Sequence, residues 1–527
     1  MSSSTGRRRA GLLIPLFSCS SSASWGIGDI GDIEPLTAWM AGAGQRILQL
    51  LPLNEMAPGQ QSPYSAISAM AIDPVYISVP LVAEFAALGG EGALAPEDRE
   101  ALAAVRRSPR VAFQEVRRLK QRALRASFER FLESEWRSGS ARDRALQAYV
   151  NEQAWWLEDY GLFRALHARE GERPWMEWPE ALQRREPPAI DRARRELADE
   201  VLFQQYLQWL AGTQWQQARA QTHGVALFGD LPFMVDADSA DVWVRQHQFR
   251  FDMSVGAPPD AFSASGQDWG MPVYQWSALA AEDYRWLRER ARRSADLFDG
   301  YRVDHLVGFY RTYGRMKDGG DGCFTPADES AQRTLGETVL SLFLAAGAEI
   351  IAEDLGTVPD FVRASLARLG IPGFRVFRWE RYWHDEGRPF RDPADYPLLS
   401  VAASGTHDTE PVAVWWEQAT EGERSQVGHL PSAQRVTAGA DLTHQPFNPT
   451  VRDALLEILF ASASELLLLP VQDAFGWRDR INEPATVSEE NWTYRLPWLV
   501  DTLDTVAEAL ERKDQLRAWS QRYGRQA

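Results

Sequence analysis

The sequence predicts an α/β protein, a (β/α)8 barrel of the TIM type with large, mainly helical insertions between its strands. Three observations predict it. Short β-like runs alternate with segments of helical spacing, the order that a parallel barrel requires. Eight such runs can be counted, and eight is the number that closes the barrel. Three of them lead into a carboxylate followed by a loop and a helical pattern: GYRVDH (300–305), IIAEDLG (350–356) and SGTHDTE (404–410). A barrel assembles its site this way, from groups at the carboxyl ends of several strands.

The first strand is read at GLLIPLF (11–17). Arg7-Arg8-Arg9 ahead of it and Leu16-Phe17-Ser18-Cys19 at its end imitate a signal peptide with a lipoprotein-like cleavage site. The apolar stretch is short and runs directly into a loop-and-helix pattern, so a barrel strand is the expectation. RILQLLPL (46–53) is the second strand, and an interval of more than 160 residues follows it. That interval is rich in Arg, Glu, Ala and Leu at helical spacing, as in FQEVRRLKQRALRASFERFLESEW (113–136). It reads as a helical subdomain over 85–220, inserted into a catalytic barrel formed by 1–84 and 221–527. Its charged faces read as solvated surfaces.

The remaining strands are expected at VALFGDLPF (225–233), YRVDHLVGF (301–309), EIIAEDL (349–355), FRVFRWE (374–380), LSVAASGTH (399–407) and LLLLPVQDA (466–474). A second insertion, about 410–460, separates the last two. A helix over 448–464 returns the chain to the barrel, with Asn448 as N-cap and Pro449 at its first position.

Composition narrows the function. A net charge of −17 over 527 residues argues against nucleic acid or an anionic membrane as partner and suits a neutral substrate. Two cysteines, Cys19 and Cys323, form neither a disulfide framework nor a metal-ligand pattern, so a reducing, cytoplasmic setting is expected. No apolar run approaches the length of a membrane span. Twenty-one Trp residues are a heavy aromatic load. Trp269 in SGQDWGMPVY and Tyr64 in QQSPYSAIS sit in polar loops, where a flat ring can cover the apolar face of a pyranose. Most of the other tryptophans read as core.

Paired carboxylates at strand ends are the working parts of glycosidic-bond chemistry, with a third to assist. Side chains alternate along a strand, so Arg302 and Asp304 share a face. A guanidinium there favours the ionised carboxylate and fixes its orientation, which suits a nucleophile, although a structural ion pair would look the same. In IIAEDLG, alternation turns only one of Glu353 and Asp354 toward the barrel axis, and counting does not say which. His407 and Asp408 form a polar pair able to bind sugar hydroxyls and to assist ring distortion.

Taken together, these segments resemble the 4-α-glucanotransferases (amylomaltases, including the plant disproportionating enzymes) of the wider α-amylase superfamily. The resemblance extends over nearly the whole chain through WGIGDIGD (25–32), SPYSAISAMAIDP (62–74), FGDLPFMVDADSADVW (228–243), PPDAFSASGQDWGMPVY (258–274), PVQDAFG (470–476), RINEPAT (480–486) and the strand-end motifs. It implies that Asp304 is the nucleophile, Glu353 the general acid/base and Asp408 the transition-state-stabilising carboxylate. It further implies that Arg302, His305, His407, Asp230, Tyr64 and Asn482 surround the bound sugar. Gln267 and Trp269 match a loop that folds over glucan.

The implied activity is retaining transfer of α-1,4-glucan segments between maltooligosaccharides, glucose or starch- and glycogen-type glucans. No cofactor and no metal are implied, and the oligomeric state is left open. An α-glucan hydrolase with the same carboxylates is the alternative. A metal-dependent barrel lyase or isomerase fits poorly, because Arg302 stands where a cation would sit. The chain departs from the family at Leu306-Val307, where Phe-Arg is common, at Thr409, where Asn is common, and in PLNEMAPGQQ (52–61), which differs from the usual His-and-Pro-rich version. These departures bear on acceptor preference and on the balance of transfer over hydrolysis.

Overall fold

The computed structural model describes residues 8–258, 266–484, 486 and 488–527. Within them the strands are β1 (Arg9–Leu13), β2 (Ile47–Gln49), β3 (Ala226–Leu231), β4 (Phe249–Ala257), β5 (Gln267–Tyr274) and β6 (Gly300–Val303). They continue with β7 (Thr312–Met316), β8 (Cys323–Thr325), β9 (Glu349–Ala352), β10 (Gly373–Val376), β11 (Ser400–Ala403) and β12 (Leu466–Pro470). Eight of them close into a barrel in the order β1-β12-β11-β10-β9-β6-β3-β2. Every neighbouring pair in that ring is parallel, and β1 closes it by pairing Arg9 with Leu466 on one side and Gly11 with Ile47 on the other. This is the (β/α)8 barrel expected from the sequence.

Alternation along these strands separates two kinds of environment. Ile47, Phe228, Ile351, Phe374, Val376, Val401, Ala403, Leu466 and Leu468 fill the barrel interior as one buried cluster. Tyr301, Val303, Ile350 and Ala352 pack outward against the helical layer. Two residues beyond the interior Phe228 comes Asp230, and two beyond Ile351 comes Glu353. The period that fills the core therefore delivers polar groups at the barrel mouth.

Most of the strands are shorter than expected at their carboxyl ends. β6 ends at Val303 rather than 309, because His305 takes φ 44° and breaks the extended backbone. The apolar Leu306–Phe309 that follow form a buried 3-10 turn. β11 ends at Ala403, and the chain then turns at Thr406–Thr409, where the Thr409 hydroxyl donates to Thr406 O (3.0 Å) and accepts from Thr406 N (2.9 Å). After Pro470 the eighth strand gives way to a helical turn, Val471–Phe475.

Between β2 and β3 lie helices Ala83–Ala87, Pro96–Arg107, Phe113–Ser134, Ala141–Arg169, Glu180–Gln183, Pro187–Glu196 and Ala198–Arg219. In Phe113–Ser134 the buried stripe Phe113, Val116, Leu119, Ala123, Leu124, Phe128 and Phe131 follows the three-and-four spacing of a helix face. Lys120 lies in the same stripe. Its buried ammonium donates to Asp29 Oδ2 (2.9 Å) and to the carbonyls of Val75 (2.8 Å) and Ile77 (2.9 Å). WGIGDIGD thereby fastens the helical segment to the loop after the first strand.

The second insertion holds helices Val412–Gln418, Glu421–Gly428, Pro431–Val436 and Pro449–Phe460. Asn448 caps the last, its side chain accepting from Val451 N at 3.0 Å, as the Asn-Pro pair predicts. That helix stops at Phe460, short of 464.

One element has no counterpart in the sequence reading. β5, β4, β7 and β8 form an antiparallel sheet in that order, built from the chain after β3 and the chain after β6. Gln267 and Trp269, expected in a covering loop, lie in β5 of this sheet. Part of the PPDAFSASGQDWGMPVY segment falls outside the described residues.

Candidate active site

The site gathers around one guanidinium. Arg302 projects from β6, and its register partner on β3 is Asp230. Arg302 Nη1 donates to both Asp230 oxygens (2.9 and 2.8 Å). Its Nη2 lies 2.7 Å from Asp304 Oδ1 and 4.0 Å from Glu353 Oε2. Arg302 is buried, and three carboxylates hold its proton more firmly than usual against the burial that would remove it. The ends of β3, β6 and β9 are thereby drawn together on one planar cation.

Those two spans from Nη2 also limit how far apart Asp304 Oδ1 and Glu353 Oε2 can lie. The limit falls near the lower edge of the ~6.5–9.5 Å that an inverting pair needs and accommodates the ~5–5.5 Å of a retaining pair.

Glu353 and Asp354 turn to opposite sides. Glu353 Oε2 accepts from His305 N (2.9 Å) and Oε1 from Leu355 N (2.9 Å). Asp354 is buried against β10, where Arg375 Nη1 donates to it (3.2 Å), and it fills the space that a side chain at Gly373 would need. Burial pushes Glu353 up to about 7, against the lowering effect of Arg302 and with help from the Asp304 charge. A carboxyl at that value can both give and take a proton near neutrality. Asp230 is also raised, to about 6, chiefly by burial and against the pull of Arg302.

His305 follows Asp304 in the left-handed region at φ 44°. This turn aims its N–H at Glu353 while its ring packs on Phe233 (5.2 Å) and edge-on to Trp269 (5.0 Å, 90°). Burial lowers the imidazole to about 4, so it is neutral at physiological pH.

The opposite wall comes from the turn after β11. The Tyr64 hydroxyl donates to Asp230 Oδ2 (2.9 Å) and lies 3.1 Å from His407 Nε2, with the two rings stacked at 5.4 Å and 19°. His407 Nε2 is 3.3 Å from Asp408 Oδ2. Burial disfavours the His407 cation, but the Asp408 carboxylate outweighs it and raises the imidazole. His407 Nδ1 is buried without a hydrogen-bond partner among the described residues. Asp408 accepts from Asn482 Nδ2 at 2.7 Å, and its own carbonyl accepts from Arg480 Nη2 at 2.7 Å. Although burial opposes it, His407 and Asn482 together hold Asp408 well below the usual carboxylate range.

Ten of the eleven residues named from sequence thus form one network or touch it directly. Gln267 is more remote. It is exposed, accepts from Trp269 Nε1 (2.9 Å) and, among the described residues, is linked to the centre through Trp269 and His305. Trp269 is half-buried, with its ring T-shaped to those of His305 and Phe233.

Three participants were missed. Phe233 supports the His305 ring, Arg480 anchors the Asp408 turn, and Trp492, at φ 64°, packs on Tyr64 (5.7 Å) and His407 (5.8 Å). Two of them lie in segments already singled out in the sequence, Phe233 in FGDLPFMVDADSADVW and Arg480 in RINEPAT. Among the described residues, no cluster of His, Cys, Asp and Glu is arranged to hold a metal ion.

Comparison with known proteins adds an independent line. Residues 14–501 match the profile of the 4-alpha-glucanotransferase family. A 4-alpha-glucanotransferase of Chlamydia pneumoniae is 34% identical over 504 residues, covering 92% of this chain and 91% of its own length. One from Thermus thermophilus is 32% identical over 528 residues, covering 96% and 99%. Among solved structures, an amylomaltase from Streptococcus agalactiae in complex with acarbose superposes with a TM-score of 0.82 at 26% identity, covering 98% of this chain and 99% of that one.

Proposed function

We infer that this chain, which belongs to the 4-alpha-glucanotransferase family, transfers α-1,4-glucan segments between maltooligosaccharides or starch- and glycogen-type glucans by a retaining double displacement. The observation that carries the mechanism is the shared Arg302 guanidinium, with Asp304 at 2.7 Å and a Glu353 raised to about 7 at 4.0 Å.

In the first step an Asp304 oxygen attacks the anomeric carbon. Glu353 gives its proton to the departing glycosidic oxygen, which leaves with the bonding pair. The product is a covalent glucosyl-enzyme with Glu353 ionised. In the second step Glu353 takes the proton of an acceptor 4-hydroxyl, which attacks the same carbon and releases Asp304. Asp408, kept ionised by His407 and Asn482, stabilises the positive charge that develops on the ring. Asp230, Tyr64 and His407 offer hydrogen-bonding groups for sugar hydroxyls around the donor ring. Transfer prevails over hydrolysis when an acceptor is held in line, which is a proximity effect.

The reading extends to organisation and setting. The helices over 85–220 form an inserted unit on a catalytic barrel of 1–84 and 221–527. The compartment is the cytoplasm, supported by two unpaired cysteines and by a chain whose described helices are all too short or too polar to cross a membrane.

Incubation of the pure protein with maltotriose, with and without a chelator, tests the activity. Glucose together with a ladder of longer maltooligosaccharides is the expected product pattern. Glucose and maltose without chain lengthening would make the protein a hydrolase.

A further inference from the structure

Three large aromatic side chains stand exposed within five residues of the chain just beyond β10. They are Trp379 (43% exposed), Tyr382 (44%) and Trp383 (51%). Isolated exposed rings are ordinary, but three together on one turn form a patch that needs an occupant.

The turn is a built one. Tyr382 N donates to Pro389 O (2.9 Å), Asp385 N to Tyr382 O (3.0 Å) and Arg391 N to Glu380 O (2.9 Å), and Arg381 bridges to Phe390. Trp383 Nε1 donates to Trp379 O at 3.2 Å, which fixes the indole relative to the backbone. Arg378, just before the rings, and Arg381, between them, face inward. Arg378 Nη1 donates to Glu410 Oε1 (2.6 Å) and Nη2 to Ser404 O (3.3 Å), while Arg381 stacks on Phe390 (3.8 Å) and pairs with Glu423 (2.6 Å). Arg378 and Arg381 thus root the turn, and the three aromatic side chains are left to solvent.

The position of the turn says what the rings are for. β10 lies between β9, which leads to Glu353, and β11, which leads to Asp408. Arg378 grips both flanks of the Asp408 turn, at Ser404 and Glu410. Trp379 is the next residue, so the exposed rings lie on the segment that leaves β10 at the carboxyl-end face of the barrel, the face that carries the candidate active site. A substrate that is a polymer runs past the few sugars that the catalytic centre can hold. Exposed rings offer flat apolar faces to pyranose rings, and His384, Asp385 and Arg388, all exposed on the same turn, offer partners for hydroxyls.

We propose that Trp379, Tyr382 and Trp383 form an outlying platform that binds an α-1,4-glucan chain beyond the reach of the catalytic subsites, giving the enzyme a preference for long glucans. The proposal rests on the glucanotransferase reading for its ligand but not for its test.

The test uses the full chain and the double variant Tyr382→Ala/Trp383→Ala in native gels cast with and without soluble amylose, a readout that requires no turnover. The expected result is retardation of the unaltered protein by amylose and a clear loss of that retardation in the variant. In parallel, kcat/KM for amylose divided by kcat/KM for maltotriose should fall about tenfold, the size expected for losing stacked aromatic contacts. Equal retardation of the two proteins, or equal loss on both substrates, would overturn the platform. A dimer of the unaltered chain that the same substitutions dissolve would assign the rings to a second copy of this chain and also overturn it. Absence of maltotriose turnover by the unaltered protein would instead count against the catalytic reading, and the gel result would still decide the platform.

Discussion

The backbone N–H of His305 donates to Glu353 Oε2 over 2.9 Å. The residue after one candidate catalytic carboxylate thus holds the other, and it can do so only because His305 occupies the left-handed region at φ 44°. A β-branched residue is strained there, whereas Asn is tolerated. His305→Val should therefore lose about 1 kcal/mol of stability relative to His305→Asn and at least about tenfold in maltotriose transfer. Thermal melts and initial rates of the two variants decide this, and equal behaviour would mean that the turn does not set the position of Glu353.

Removal of the reacting groups should leave the fold. Asp304→Asn and Glu353→Gln should each lower transfer by about 10²–10⁴-fold or more while melting within a few degrees of the unaltered protein. Near-normal rates in either purified variant would withdraw its assigned role.

The raised Glu353 predicts a pH profile. The first step needs the protonated carboxyl, so kcat/KM should fall on the alkaline side with an apparent value near 7, the position burial gives this group. In Glu353→Gln that limb should vanish from the residual activity. An alkaline limb confined to pH 9 and above in the unaltered enzyme would exclude Glu353 as the acid.

The same shift is a statement about stability. The fold favours protonated Glu353, so the contribution is complete below the ordinary value of ~4.3 and is lost as pH rises through about 7. At pH 8 the ionised, buried carboxylate is a burden, and Glu353→Gln should melt higher than the unaltered protein. At pH 4 the advantage should disappear. Calorimetry at the two pH values measures it.

Tyr64→Phe removes a hydroxyl shared by Asp230 and His407 without changing the stacked ring. Loss of that bond should cost about 1 kcal/mol of stability and about tenfold in kcat/KM for maltotriose. An unchanged kcat/KM would make Tyr64 a packing residue only.

The barrel was legible because a strand buried on both faces must be apolar, and eight such runs stand out in the chain. The carboxylates were legible because each follows one of those runs. Choosing between Glu353 and Asp354 required knowing which parity faces inward. The interior position of Ile351 supplies that, since Glu353 lies two residues on. Other features depend on contacts that no local pattern encodes. Tyr64 and His407 are 343 positions apart, and nothing near either residue announces their pairing. The antiparallel sheet escaped notice for a related reason. β4 lacks strict alternation, with burial that switches from exposed to continuous along its length, and β5 carries Gly and Pro. Strand ends were overrun because apolar residues such as Leu306 and Phe309 are buried in a 3-10 turn as effectively as in a sheet.

Barrel closure carries a consequence for synthesis. β1 is made first among the strands, yet one of its two partners is β12, which begins 457 positions later at Arg9↔Leu466. Until Leu466–Pro470 leave the ribosome, β1 and β11 each expose an unpaired strand edge, the feature that most readily recruits other chains. Every residue of the Arg302 network from Tyr64 to Asp408 is already translated by then, but the ring that sets their spacing is open. A nascent or prematurely terminated chain is therefore both inactive and prone to aggregate, so chaperone protection should matter most during the interval in which β12 is still missing.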